Sequence, residues 1–122
     1  MRPFALAAVA ALALGCGAAG GGTLKSGLKG KVTRGPITPV CHVNVPCSEP
    51  ARGVKLLFYR SGKVVARATT NNKGWYQIGL KPGAYSVRTN RPGFERMPTP
   101  SRTTVPSGRY RRVDFQLDTG IR

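Results

Sequence analysis

Acidic residues are scarce in this chain. Only Glu49, Glu95, Asp114 and Asp118 carry negative charge, against 20 lysines and arginines in 122 residues. Four carboxylates scattered this way do not supply the paired acids that glycoside hydrolysis needs. Histidine occurs once, as His42. No nucleophile elbow or Ser-His-Asp order accompanies it, and no Gly-rich phosphate loop stands between a strand and a helix. The longest apolar run, from Phe4 to Leu14, covers 11 residues, where a membrane-spanning helix needs about 20. Sustained 3.6-residue periodicity is missing too, and prolines at 36, 39, 46, 50, 82, 92, 98, 100 and 106 interrupt any long helix. These absences exclude the common catalytic classes. They predict a protein that is not an enzyme, has no cofactor and holds no metal.

The amino-terminal segment is an address. Arg2 and the terminal amine form a positive region, Phe4 to Leu14 an apolar one, and Gly15-Cys16-Gly17-Ala18-Ala19 a run of small residues. That order is a secretory signal, read here as residues 1–15. Ala13-Leu14-Gly15-Cys16 resembles the lipobox at which bacterial lipoproteins are cleaved and acylated. Gly15 and Cys16 fit, whereas Ala13 stands where leucine is usual and Leu14 falls one place late. The resemblance implies lipidation of Cys16 and a cell-envelope lipoprotein with membrane attachment. Without acylation, cleavage near Gly15 or Gly20 would release a secreted soluble protein. The three cysteines agree with the first reading. An exported protein pairs its cysteines where it can, and Cys41 with Cys47 leaves Cys16 over. Residues 16–27 then form a Gly-rich tether, with a span of roughly 18 Å for eleven such residues.

The formal net charge is +16. Such a surface attracts polyanions such as nucleic acid, anionic lipid and anionic cell-wall polymers. The basic residues are spread along the whole chain, so the charge also serves solubility alone. No specific nucleic-acid module is recognisable. The expected partner is an anionic envelope component or another protein.

From residue 28 onward the pattern is strands and turns. Strands are predicted over 28–33, 53–59, 63–70, 75–80, 84–89, 103–106 and 109–117. Arg60-Ser61-Gly62, Asn71-Asn72-Lys73-Gly74, Lys81-Pro82-Gly83 and Arg91-Pro92-Gly93 supply turns between them. Alternation sorts the faces. Val54, Leu56 and Phe58 share one side, and Lys55, Leu57 and Tyr59 the other. Tyr76, Ile78 and Leu80 fall together, as do Tyr85 and Val87, and Val113, Phe115 and Leu117. About seven short strands with one apolar face predict an all-β, immunoglobulin-like antiparallel β-sandwich.

The stretch from Val64 to Val87 also resembles the signature of carboxypeptidase regulatory-like domains. It has a strand, a turn ending in Gly74, the aromatic pair Trp75-Tyr76, and then Leu80-Lys81-Pro82-Gly83-Ala84-Tyr85-Ser86-Val87. Gly93-Phe94 and Gly30-Lys31-Val32 match further parts of it. The resemblance covers residues 28–117, leaving 118–122 as a tail. It implies a transthyretin-like seven-strand sandwich serving as an accessory, adhesive or spacer module. Residues 35–47 depart from the common pattern by forming a longer first loop.

Candidate sites are few. Cys41 and Cys47 are expected to form a disulfide in an oxidising compartment, worth roughly 2 kcal/mol by loop entropy. A Cys41-His42-Cys47 metal site has poor spacing and no fourth ligand, and a Cys-His nucleophile pair has no acid to orient it. Alternation places Trp75 outward, beside Lys73 and near Lys63 or Arg67 if those strands pair. There it either stacks on a sugar, base or partner surface or covers strand ends and the cysteine loop. Arg109-Tyr110-Arg111-Arg112 is the densest basic cluster. It is either a site for an anionic polymer or a charged edge that blocks aggregation. The expected function is a non-catalytic exported module that binds an envelope polymer, carbohydrate or partner protein. The alternatives are a spacer without ligand and a charge-driven polyanion binder.

Overall fold

Short runs of β-branched and aromatic residues, punctuated by Gly, Pro and Asn, become nine strands in the computed structural model, which describes residues 25–121. The signal segment, Cys16 and most of the tether lie outside the described residues. The strands are β1 (Gly27–Gly35), β2 (Glu49–Pro50), β3 (Lys55–Arg60), β4 (Lys63–Thr69), β5 (Trp75–Gly79), β6 (Gly83–Thr89), β7 (Arg102–Val105), β8 (Tyr110–Arg112) and β9 (Phe115–Asp118). A single 3-10 turn, Gly93–Arg96, lies between β6 and β7.

They form two sheets. The four-stranded sheet runs β4-β3-β6-β7 and is antiparallel throughout. Its β3–β4 hairpin closes on Ser61 and Gly62, with φ of 54° and 77°, the two positive values that a primed two-residue turn requires. A register shift between Phe58 and Tyr59 makes a bulge and leaves Val65 on the surface.

The five-stranded sheet is organised around β1, which changes partners midway. Its first half pairs with β5 on one side, antiparallel, and β8 on the other, parallel. Its second half pairs with β9, parallel, and β2, antiparallel. The sandwich is therefore all-β and mostly antiparallel, with its first strand parallel to its last two.

The single strand expected over 109–117 is broken at Val113-Asp114. Val113 N–H donates to the Lys29 carbonyl at 2.8 Å, and the Lys31 N–H donates to the Asp114 carboxylate at 2.9 Å. A side chain thus takes a position in the ladder that a backbone carbonyl would otherwise hold. Strand β2, only two residues long, carries too little pattern to be read from sequence.

The inward phases are those that alternation gives. Leu28, Val32, Val54, Leu56, Phe58, Tyr76, Leu80, Tyr85, Val87, Val105, Phe115 and Leu117 are buried between the sheets. Each large side chain fully buried contributes roughly 1.5–3 kcal/mol. The buried hydroxyls are paired, as burial of polar groups requires. Ser26 donates to the Leu80 carbonyl, Thr70 to Ala51, and Thr89 to Glu95. Beyond β9 the chain is still ordered against the sandwich. The Thr119 hydroxyl donates to the Pro36 carbonyl, and its N–H to Gly35.

Candidate functional site around Trp75

The turn before β5 aims the only tryptophan. Asn71 folds its side-chain carbonyl back to accept from the N–H groups of Lys73 and Trp75, each at 2.9 Å, the Asx-turn chemistry of asparagine. Gly74 closes the turn at φ +82°, and a Cβ there would lie 2.5 Å from the Val32 carbonyl, so no other residue fits. Trp75 then enters β5 facing outward and is 40% exposed, while Tyr76 faces the core. The Tyr76 phenol donates to the Val113 carbonyl at 2.5 Å and packs on Phe115 with ring centroids 5.6 Å apart. Burial, aided by the Asp114 carboxylate, pushes its ionisation well above the usual tyrosine range.

The cations beside Trp75 are Lys31 and Arg112. Lys31 is its direct cross-strand neighbour on β1, with Nζ 5.8 Å from the indole centroid. Arg112, from β8, places its guanidinium 5.2 Å away. Both distances suit cation–π attraction. The expected neighbours Lys63 and Arg67 are on β4, in the other sheet, so they do not pair with β5. An open depression of about 530 Å³ borders the indole, with Lys29, Asn71, Gln77 and Arg112 among its lining residues.

The basic cluster Arg109-Tyr110-Arg111-Arg112 is divided between different sides of the sheet. Tyr110 and Arg112 pair with Gly27 and Lys29 and share the outer face with Trp75. The Tyr110 ring lies so close to Gly27 that a Cβ there would come within 2.6 Å of it. Arg111 points the other way and donates to the Thr104 carbonyl on β7 at 3.1 Å. Arg109 is exposed ahead of the strand. Lys29 and Lys31 belong to the site in their place. Alternation with Leu28 and Val32 is the sequence signal that would place them outward, and their adjacency to β5 and β8 follows only from the topology.

Asp114 organises the site electrostatically. Arg112 donates to it twice, from Nε at 3.1 Å and from a terminal nitrogen at 3.2 Å. The hydrogen bonds from Arg112, then from the Lys31 backbone, hold its carboxyl below the usual carboxylate range. A lowered folded value means that this contact stabilises the fold fully above the ordinary Asp range. The contribution is lost as pH falls through the lowered value. Titration of the Asp114 carboxyl by NMR should therefore show a midpoint below that of a free aspartate, and Arg112→Ser should return it toward normal.

Elsewhere, Cys41 and Cys47 are joined by a disulfide with Cα atoms 5.5 Å apart, and His42 beside it is exposed. Arg34 bridges Glu49 on β2 at 2.5 Å and Glu95 in the 3-10 turn at 2.7 Å, and Arg91 adds a contact to Glu95. This ion-pair group ties three elements together. Among the described residues no three His, Cys, Asp or Glu side chains gather in a way that could hold a metal.

A family model described as carboxypeptidase regulatory-like domain matches residues 27–118. Among solved structures, the crystal structure of a minor pilin from the Gram-positive pathogen Streptococcus agalactiae superposes with a TM-score of 0.51 at 14% identity, over 76% of this chain and 44% of that one. The chain thus spans less than half the length of that pilin, and at this identity the likeness is one of fold. No curated protein matches the sequence.

Proposed function

The chain belongs to the carboxypeptidase regulatory-like domain family, and from that premise we propose that it is an exported, non-catalytic β-sandwich module that binds an envelope polymer, carbohydrate or partner protein through the outer face of its five-stranded sheet. The observation that carries this reading is the gathering of Lys29, Lys31 and Arg112 around the exposed Trp75. An indole with fixed cations beside it suits a ligand that presents anionic groups next to an apolar or sugar surface. A ligand approaching the ring meets these cations first, so recognition combines charge with stacking.

Three features support a site of action outside the cytoplasm. The amino-terminal segment has the layout of a secretory signal. The Cys41–Cys47 bridge belongs to an oxidising compartment. One solved structure that shares the fold is that of a minor pilin. Lipid attachment at Cys16 completes the proposal, holding the domain close to a membrane.

The test is cosedimentation of the purified mature chain with isolated envelope fragments at physiological salt. Saturable binding is expected, weakened about tenfold or more by Trp75→Ala and by Arg112→Ser, with both variants still folded at the temperature of the assay. A tenfold loss corresponds to about 1.4 kcal/mol. No saturable binding would make the domain a spacer and overturn the reading. Binding that both variants leave intact would remove the Trp75 face as its site.

A further inference from the structure

The opposite face of the sandwich has a different character. All four carboxylates lie away from it. Glu49 and Glu95 are held by Arg34, Asp114 is held by Arg112 on the five-stranded sheet, and Asp118 ends β9 in that same sheet. The outer face of the four-stranded sheet carries cations and uncharged side chains instead. Leu57 of β3 stands directly between Arg67 of β4 and Arg88 of β6. One step along, Tyr59 faces Ser86, which in turn faces Arg102 of β7. Residues directly opposite in a ladder share a face, so these side chains all project to the same side. Arg96 from the 3-10 turn joins Arg88 at the rim of an open depression of about 640 Å³, in which Leu57, Tyr59, Ser86 and Asn90 also take part. Arg67, Arg88, Arg96 and Arg102 have no ion pair among the described residues.

We infer that this face is a second binding surface, separate from the Trp75 site, and that its ligand is a linear anionic glycan bearing carboxylate or sulfate groups. Charge complementarity names the sign, since Arg67, Arg88 and Arg102 share a face that has no carboxylate, with Arg96 at its rim. The sheet sets the spacing. Arg67 and Arg88 are two strands apart, about 10 Å between their backbones, a separation suited to charges repeated along an extended chain rather than to one compact anion. Guanidinium groups pair with carboxylate or sulfate oxygens through two parallel N–H donors. Between the arginines lie a half-buried tyrosine ring, which offers a sugar an apolar surface with a polar edge, and the Ser86 hydroxyl and Asn90 amide, which match sugar hydroxyls. A membrane surface is the poorer fit, because Leu57 and Tyr59 are recessed in the sheet rather than projecting as anchors. Nucleic acid is also poorer, because a strand of bases uses successive aromatic platforms and Tyr59 is the one aromatic side chain in the depression.

The test measures binding of the mature chain to polygalacturonate and to heparin, with neutral dextran, oligo-dT and phosphatidylglycerol vesicles as comparison probes. Saturable binding to at least one of the two anionic glycans is expected, tighter than to oligo-dT or vesicles, with none to dextran. Arg67→Ser with Arg88→Ser should weaken it at least tenfold and make its salt dependence shallower. Tyr59→Ala should weaken it while leaving the salt dependence unchanged. Arg109→Ser with Arg111→Ser removes the same charge from outside both faces and should change affinity less than twofold. Trp75→Ala should not alter it, which separates this site from the proposed one. An equal loss in the Arg109 and Arg111 pair, tighter binding to oligo-dT or vesicles, or no glycan binding at all would each overturn the inference.

Discussion

Replacing Phe115 by alanine should remove about 3–5 kcal/mol of stability and lower Tm by on the order of 20 °C. Phe115 is 1% exposed. It begins β9, pairs with Val32 in the middle of β1, and packs against the Tyr76 ring. Truncation loses the transfer energy of the ring and leaves a void between two sheets. The void is hard to close, because β1 is held on both sides and Tyr76 is fixed by its bond to the Val113 carbonyl. Leucine at the same position should recover more than half of the loss. Thermal and urea unfolding of the two variants would check this, and an alanine variant within about 1 kcal/mol of the native protein would show that the core collapses around the gap.

Gly30→Ala should be nearly as damaging, although it adds a single methyl group. A Cβ at Gly30 would stand 2.1 Å from the Val113 carbonyl and 2.8 Å from an Asp114 carboxylate oxygen. Both atoms belong to the segment where Val113 and Asp114 replace a regular ladder, so relief requires that β8 and β9 move away from β1. Overpacking of this kind costs about 1–3 kcal/mol and more where backbone must shift; the upper end is expected here. Gly53→Ala gives the contrast. A Cβ at Gly53 meets nothing within 4 Å, and only its φ of +64° opposes a side chain, a cost of about 1 kcal/mol. Equal losses in the two variants would show that steric contact with Val113 is not the cause. The Gly30 variant should also disturb the Trp75 site, since it displaces Asp114 and with it Arg112.

Local pattern and long-range topology differed in how far the residues disclosed them. Val54, Leu56 and Phe58 recur at every second position of one strand, which places them together on one buried face. The Ser61-Gly62 turn was legible for the same reason, because its conformation depends on the residues that form it. The outward direction of Trp75 followed from Tyr76 next to it. What surrounds Trp75 did not follow, because Lys31 and Arg112 reach it through pairings of β1 with β5 and β8. Hydrophobic alternation specifies a face and leaves the neighbour open. The break at Asp114 was hidden by the same alternation, since Val113, Phe115 and Leu117 keep one phase straight through it. The arginine face of the four-stranded sheet needed the registers of β4, β3, β6 and β7 before residues distant in sequence could be placed side by side.

The parallel alignment of the first and last strands has a mechanical consequence. The chain enters β1 at Gly27, and it leaves β9 beside Gly35, at the other end of the same strand. A load applied between an anchored amino end and a pulled carboxy end therefore acts along these strands rather than across them. Hydrogen bonds loaded in shear share the force and must yield together, whereas an antiparallel pair pulled from one end opens bond by bond like a zipper. A domain tethered at its amino end and pulled from its carboxy end would be loaded along its strongest direction.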